Sequence, residues 1–91
     1  MNVIQELEKS LPIVERLFDK TTWRQFAACD YEAISFGFPE ISGAVQKYFL
    51  KPNADVTKAL LALGFDNRQD MCDFVMKYLY AKMHETFGIS S

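Results

Sequence analysis

The chain has 91 residues, enough for one domain core and too few for two. Its 49% hydrophobic and 24% charged residues give the balance of a globular protein, and a chain of this size buries roughly 60–65% of its unfolded surface. The net charge is −2, with 4 basic and 7 acidic side chains over residues 1–45 and 6 and 5 over residues 46–91, so no clustered Lys and Arg are available for phosphate and the balance argues against a general nucleic-acid binder.

The first predicted element is helical. Val3, Ile4, Leu7, Leu11, Val14, Leu17 and Phe18 fall in one arc at 100° per residue, with Pro12 on the opposite, polar side. The apolar phase runs through the proline unbroken, which leaves two solutions: two short collinear helices with Ser10 as a cap, or one helix kinked on its solvent face. In "TTWRQ", Thr22 and Gln25 have the spacing of a capping box and Trp23 opens the next helix, which ends near Gly37. Asp30 decides whether that helix is continuous. In an unbroken helix its carboxylate would sit in the apolar face beside Trp23, Phe26, Ala27 and Ile34; if the helix breaks at "ACDYEA", Asp30 caps a second short helix, the preferred reading because Asp is a good cap.

"FGFPEISG" interrupts the pattern, and Pro39 starts a fresh helix whose apolar face is Ile41, Ala44, Val45, Tyr48 and Phe49. Pro52 ends it, and Asn53 or Asp55 is expected to cap the next, whose stripe is Val56, Ala59, Leu60 and Leu63, with Gly64 beyond its end. Asp66 and Gln69 offer a capping box for the last helix, which runs to about Phe87. On its wheel Cys72, Val75, Met76, Leu79, Tyr80, Met83 and Phe87 make one long stripe, and Met71, Phe74 and Tyr78 make a shorter apolar patch beside it, over the first two turns. Asp73, Lys77 and His84 form the polar stripe, and Lys82 and Glu85 return the second side to solvent. A helix apolar around roughly 240° of its girth needs more neighbours than a surface helix has. The fold class expected is all-α: a compact bundle of five or six helices forming a single domain over residues 1–91, with a long, largely buried C-terminal helix.

The residues that could carry chemistry do not converge. Cys29 and Cys72 lie in apolar helical stretches and read as buried thiols of a reducing, cytoplasmic compartment. His84 is the only histidine, reads as a surface residue, and has no second His or Cys one turn away to share a metal. No phosphate-binding, dinucleotide, zinc-protease or calcium-loop motif occurs. No enzyme, catalytic residue, metal or cofactor is therefore expected. "MNVIQELEKS" lacks the apolar run of a signal peptide, and no run reaches the roughly 18 apolar residues of a membrane span.

"LLALGFDNRQDMCDFV", with "LGF" between two helices, resembles the loop of ubiquitin-associated domains. The likeness is confined to that stretch; those domains need a third short helix, whereas here the second one runs on to about Phe87, so membership is not adopted.

The functional expectation is a non-enzymatic protein–protein interaction module (an adaptor, inhibitor or regulatory subunit) acting through an aromatic and Met-rich helical surface at Met71, Phe74 and Tyr78, with a protein partner that includes the case of a second copy. Two alternatives stand beside it: a carrier whose Phe and Met side chains line a cavity for a small hydrophobic ligand, and a helix-turn-helix regulator built on residues 55–63 and 67–82. Asp70 and Asp73 on the reading helix weigh against the second.

Overall fold

The computed structural model describes residues 2–88 apart from the side chain of Ser35; residues 1 and 89–91, which the expected domain includes, lie outside the described residues. The first helix, α1, spans Val3–Glu15, and Asn2 caps it by accepting a hydrogen bond from the Ile4 amide at 2.9 Å. Pro12 lies inside this one helix and is exposed, so the carbonyl left without its N–H faces water, and of the two sequence solutions the single helix is observed. Leu7 and Val14 are fully buried, with Val3, Leu11 and Phe18 packed against the same core. Leu17 leaves the arc and is 45% exposed, because the helical rotation stops at Glu15.

The second helix, α2, spans Lys20–Ala28, and its cap is Asp19, whose Oδ1 accepts from the Thr22 amide at 2.8 Å; the expected pair Thr22 and Gln25 does not cap. That bond holds the Asp19 carboxyl below its ordinary range, with the Thr22 side chain adding to the effect. Trp23 joins α2 to α1 by donating from Nε1 to the Glu15 carbonyl at 3.1 Å. From it an edge-to-face series runs through the core: Phe18 on Trp23 at 5.6 Å, Trp23 on Phe26 at 5.7 Å, Phe26 on Phe38 at 5.3 Å.

The chain then breaks. Cys29 and Asp30 are extended, and a 3₁₀ turn at Tyr31–Ala33 leads into the four-residue helix α3, Ile34–Gly37. Asp30 is exposed and outside any apolar face; it stands at the cap position, with its carbonyl accepting from Ala33 at 2.9 Å and its side chain making no cap bond. The helix α4 spans Pro39–Tyr48 and starts on the proline; Ile41, Ala44 and Val45 are buried, as are Phe49 and Leu50 just beyond its end.

The helix α5 spans Asp55–Ala62. Ala54 holds its cap position, so neither Asn53 nor Asp55 caps it. Pro52 and Asn53 instead form the centre of a turn in which Ala54 donates to the Lys51 carbonyl at 2.9 Å, and the same carbonyl accepts from Thr57 Oγ1 at 2.8 Å. Val56, Ala59 and Leu60 are buried, whereas Leu63, past the last turn, is 62% exposed. There Gly64 takes φ +101°, with the Gly64 amide on the Leu61 carbonyl and the Phe65 amide on the Leu60 carbonyl, both at 3.1 Å: a Schellman motif that turns Phe65 back toward the core.

The last helix, α6, spans Arg68–Phe87. Its cap is Asn67, one residue beyond the expected Asp66: Oδ1 accepts from the Asp70 amide at 2.8 Å and Nδ2 donates to the Asp70 carboxylate at 2.9 Å, while Gln69 bonds Asp73 at 3.2 Å. Arg68 donates to the Gln46 carbonyl and so ties the start of α6 to the end of α4. Met71, Cys72, Val75, Met76, Leu79 and Met83 are buried, and full burial of a side chain such as Leu79 contributes about 1.5–3 kcal/mol. The helix packs against α2, α3 and α4, and α1 lies on α4 and α5. Among the described residues there is no strand, and no helix is long and apolar enough to cross a membrane. The radius of gyration of 12.5 Å matches the compact value of about 12 Å for this chain length.

Candidate functional site

Three regions bring together side chains capable of recognition or chemistry. The first is the junction of the end of α2 with the last turns of α6. An α-helix ends with carbonyls that lack intrahelical partners, and here side chains supply them: Tyr80 donates its hydroxyl to the Cys29 carbonyl at 2.8 Å, and His84 Nε2 lies 2.7 Å from the Ala27 carbonyl. Because a carbonyl only accepts, Nε2 carries the proton. The two rings lie against each other, centroids 4.2 Å apart and planes tilted by 44°, and the Arg24 guanidinium lies 5.4 Å over Phe87 one turn further on. His84 is therefore a half-buried helix-end ligand, contrary to its reading as a surface residue.

Cys29 belongs to the same junction. Its Sγ donates to the Phe26 carbonyl at 3.1 Å, and burial, with Asp30 adding negative potential, pushes the thiol up from its ordinary value. That is the opposite of what a nucleophilic thiolate requires. Burial likewise raises the Tyr80 hydroxyl, with Cys29 and Asp30 contributing. Cys72 is buried with its Sγ 3.4 Å from Ser42 Oγ. Among the described residues no group of three His, Cys, Asp or Glu side chains is arranged to hold a metal. The junction is a cap built of side chains, in which the Tyr80 hydroxyl, His84 Nε2 and Cys29 Sγ each donate to a backbone carbonyl.

The second region is the one singled out in the sequence, Met71, Phe74 and Tyr78. Met71 belongs to the core at 6% exposure, and Phe74 and Tyr78 are half-buried against it. Phe65, delivered by the Gly64 turn, meets Phe74 edge-to-face at 5.4 Å, and the Lys82 ammonium lies 5.8 Å over the Tyr78 ring. The Tyr78 hydroxyl is buried without a hydrogen-bond partner among the described residues. Its titration is pushed up by burial first and then by the charges of Glu8, Glu15 and Glu85. The chain's own segments thus cover most of this patch.

The third region was not singled out in the sequence. Phe36, on α3, is 78% exposed and Tyr31, in the preceding turn, is 50% exposed. Between them and the polar stripe of α6 runs an open groove of about 330 Å³, lined by Tyr31, Glu32, Ile34, Phe36, Asp73 and Lys77, and it continues past Asp30 and Ala33 on the other side of the same aromatics. Tyr31 meets Tyr80 edge-to-face at 5.5 Å, and the Lys77 ammonium, which also lines the groove, lies 5.6 Å from the Tyr31 ring centroid, so the half-exposed ring is positioned by contacts to α6. The signal that locates Phe36 is the break at Asp30. A helix that begins at Ile34 has one turn, Ile34 takes its buried side, and Phe36, about 200° further round, must point out. The remaining exposed apolar residues, among them Ile13, Leu61 and Leu63, lie on α1 and around the end of α5 and line no groove with Phe36.

Set against known proteins, the chain matches no family model, no curated protein and no solved structure.

Proposed function

We propose that this chain is a non-enzymatic protein–protein interaction module and that its contact surface is the aromatic face at Tyr31 and Phe36. The observation that carries the reading is the exposure of Phe36, at 78%, beside the half-exposed Tyr31 on an open groove of mixed polar and apolar lining. A phenylalanine contributes most when buried, and aromatic side chains are enriched at protein interfaces. In this reading the bundle of five or six helices with its largely buried C-terminal helix is the scaffold, and Met71, Phe74 and Tyr78 help to fix α6 within it. The Tyr80 hydroxyl and His84 Nε2, each taken up by a backbone carbonyl, and the raised Cys29 thiol support a role without catalysis. The two free thiols support a cytoplasmic setting. The burial of α6 along most of its length weighs against its lying in a DNA groove.

The test is Phe36→Ser, followed by urea unfolding and by affinity capture from extracts of the native host. Replacing an exposed side chain should leave stability within about 0.5 kcal/mol, while at least one protein retained by the wild type is lost. An unchanged capture profile, or a loss of stability of about 2 kcal/mol or more, would show that Phe36 is not a contact residue.

A further inference from the structure

We infer that the occupant of the Tyr31–Phe36 face is a positively charged amphipathic segment of another protein, with lysines or arginines flanking an apolar anchor. This inference rests on the interaction-module reading and specifies its partner. The exposed apolar part of the groove comes from Tyr31 and Phe36, over the buried Ile34, and its lining carries the exposed carboxylates of Asp30 and Glu32 against the ammonium of Lys77; Asp73, also in the lining, is held by Gln69. Lys77 is already turned over the Tyr31 ring, and among the described residues no ion pair reaches Asp30 or Glu32, both exposed. Exposed carboxylates around an apolar floor complement cations around an apolar anchor, an arrangement that steers association and sets orientation.

The same charges decide between occupants. A second copy docking here by a two-fold axis would present the same patch to itself, bringing Asp30 and Glu32 of each copy toward the like charges of the other. Like charges juxtaposed across an interface are costly. Nucleic acid and anionic lipid surfaces carry the same sign as the rim and are repelled by it. Of these classes, the basic protein segment is the one whose charge the rim attracts.

The experiment uses a short amphipathic peptide of leucine and lysine as the probe and its glutamate-for-lysine counterpart as the control, each titrated into the isotope-labelled full chain and followed by amide chemical shifts. The lysine peptide should move resonances in residues 30–37 and 69–77, and its affinity should fall about tenfold or more from about 0.01 M to about 1 M salt, as the screening length contracts from roughly 30 Å to roughly 3 Å. The double variant Asp30→Asn, Glu32→Gln should keep the wild-type melting temperature and lose roughly three- to tenfold in affinity. Equal binding of both peptides, shifts gathered elsewhere, or an unchanged affinity in the double variant would overturn the inference. Self-association of the wild type in sedimentation, abolished by Phe36→Ser, would overturn it while leaving the interaction reading intact. If Phe36→Ser changes neither peptide binding nor partner capture, both fall.

Discussion

Phe74 and Phe36 are both aromatic side chains on helices at the side of the core, and their surroundings differ for a reason of chain length. Phe74 stands on the 20-residue α6, which has neighbours on several sides, and the Gly64 turn brings Phe65 onto it at 5.4 Å. Phe36 stands on the four-residue α3, which has one buried side, and it remains 78% exposed. Whether an aromatic becomes core or surface is thus decided by two things together: how many sides of its own helix are packed, and what segment returns across it. The Phe74 region is an apolar patch closed by its own chain, and the Phe36 region is one left open.

The sharpest way to break that comparison is Met71→Ala in the closed patch. Met71 is 6% exposed, so its truncation is expected to cost about 2–4 kcal/mol in urea unfolding, the range of buried Met→Ala changes; a cost below about 0.5 kcal/mol, the range of surface changes, would put Met71 at the surface and erase the contrast with Phe36. A smaller effect is expected at the turn that closes the patch. Gly64 has φ +101° with open space where a Cβ would sit, so Gly64→Ala meets backbone strain alone and should cost about 1–2 kcal/mol. Calorimetry showing no change would mean that the turn relaxes without moving Phe65.

The smallest effect belongs to Tyr78→Phe. Among the described residues the hydroxyl is buried without a partner although the ring is only half-buried, so its removal should be neutral at pH 7 or stabilise by up to about 1 kcal/mol. The pH dependence sharpens the point. Burial raises the Tyr78 hydroxyl above its ordinary 10.0, so its folded-state value exceeds the unfolded one; the contribution of the neutral phenol is complete below the ordinary value and is lost as the pH rises through the raised one. Tyr78→Phe should therefore flatten the alkaline decline in stability without abolishing it, because the Tyr80 hydroxyl is raised as well. An alkaline profile identical to wild type would show that Tyr78 is solvated.

Much of the fold was legible in residue spacing. The faces of α4 and α6, that of α1 apart from the exposed Ile4, the start at Pro39, the break at Asp30 and the end near Phe87 follow from helical period and the chemistry of proline, aspartate and glycine. The caps were less legible. Asp19, three residues before the expected Thr22, caps α2, Asn67, one beyond the expected Asp66, caps α6, and Ala54 holds the position expected of Asn53 or Asp55, because several nearby polar residues can serve as caps and where the preceding loop ends selects among them. Leu63 and Leu17 were counted on apolar stripes, yet both lie past the last helical turn, where the period no longer applies.

The candidate site was the least legible part. Periodicity identified Met71, Phe74 and Tyr78 as surplus apolar surface but carries no record of which segment covers it; that depended on Phe65 arriving from the α5–α6 turn. It also carried no sign that His84 and Tyr80 would be taken up by the carbonyls of α2, residues more than fifty positions earlier. By itself the amino-acid order determined where helices form and which side of each is apolar, since both are set by contacts within one or two turns. The choice of which apolar side chains are shielded and which stay open at Tyr31 and Phe36 was made only in the tertiary structure, because it depends on contacts between segments far apart in the chain.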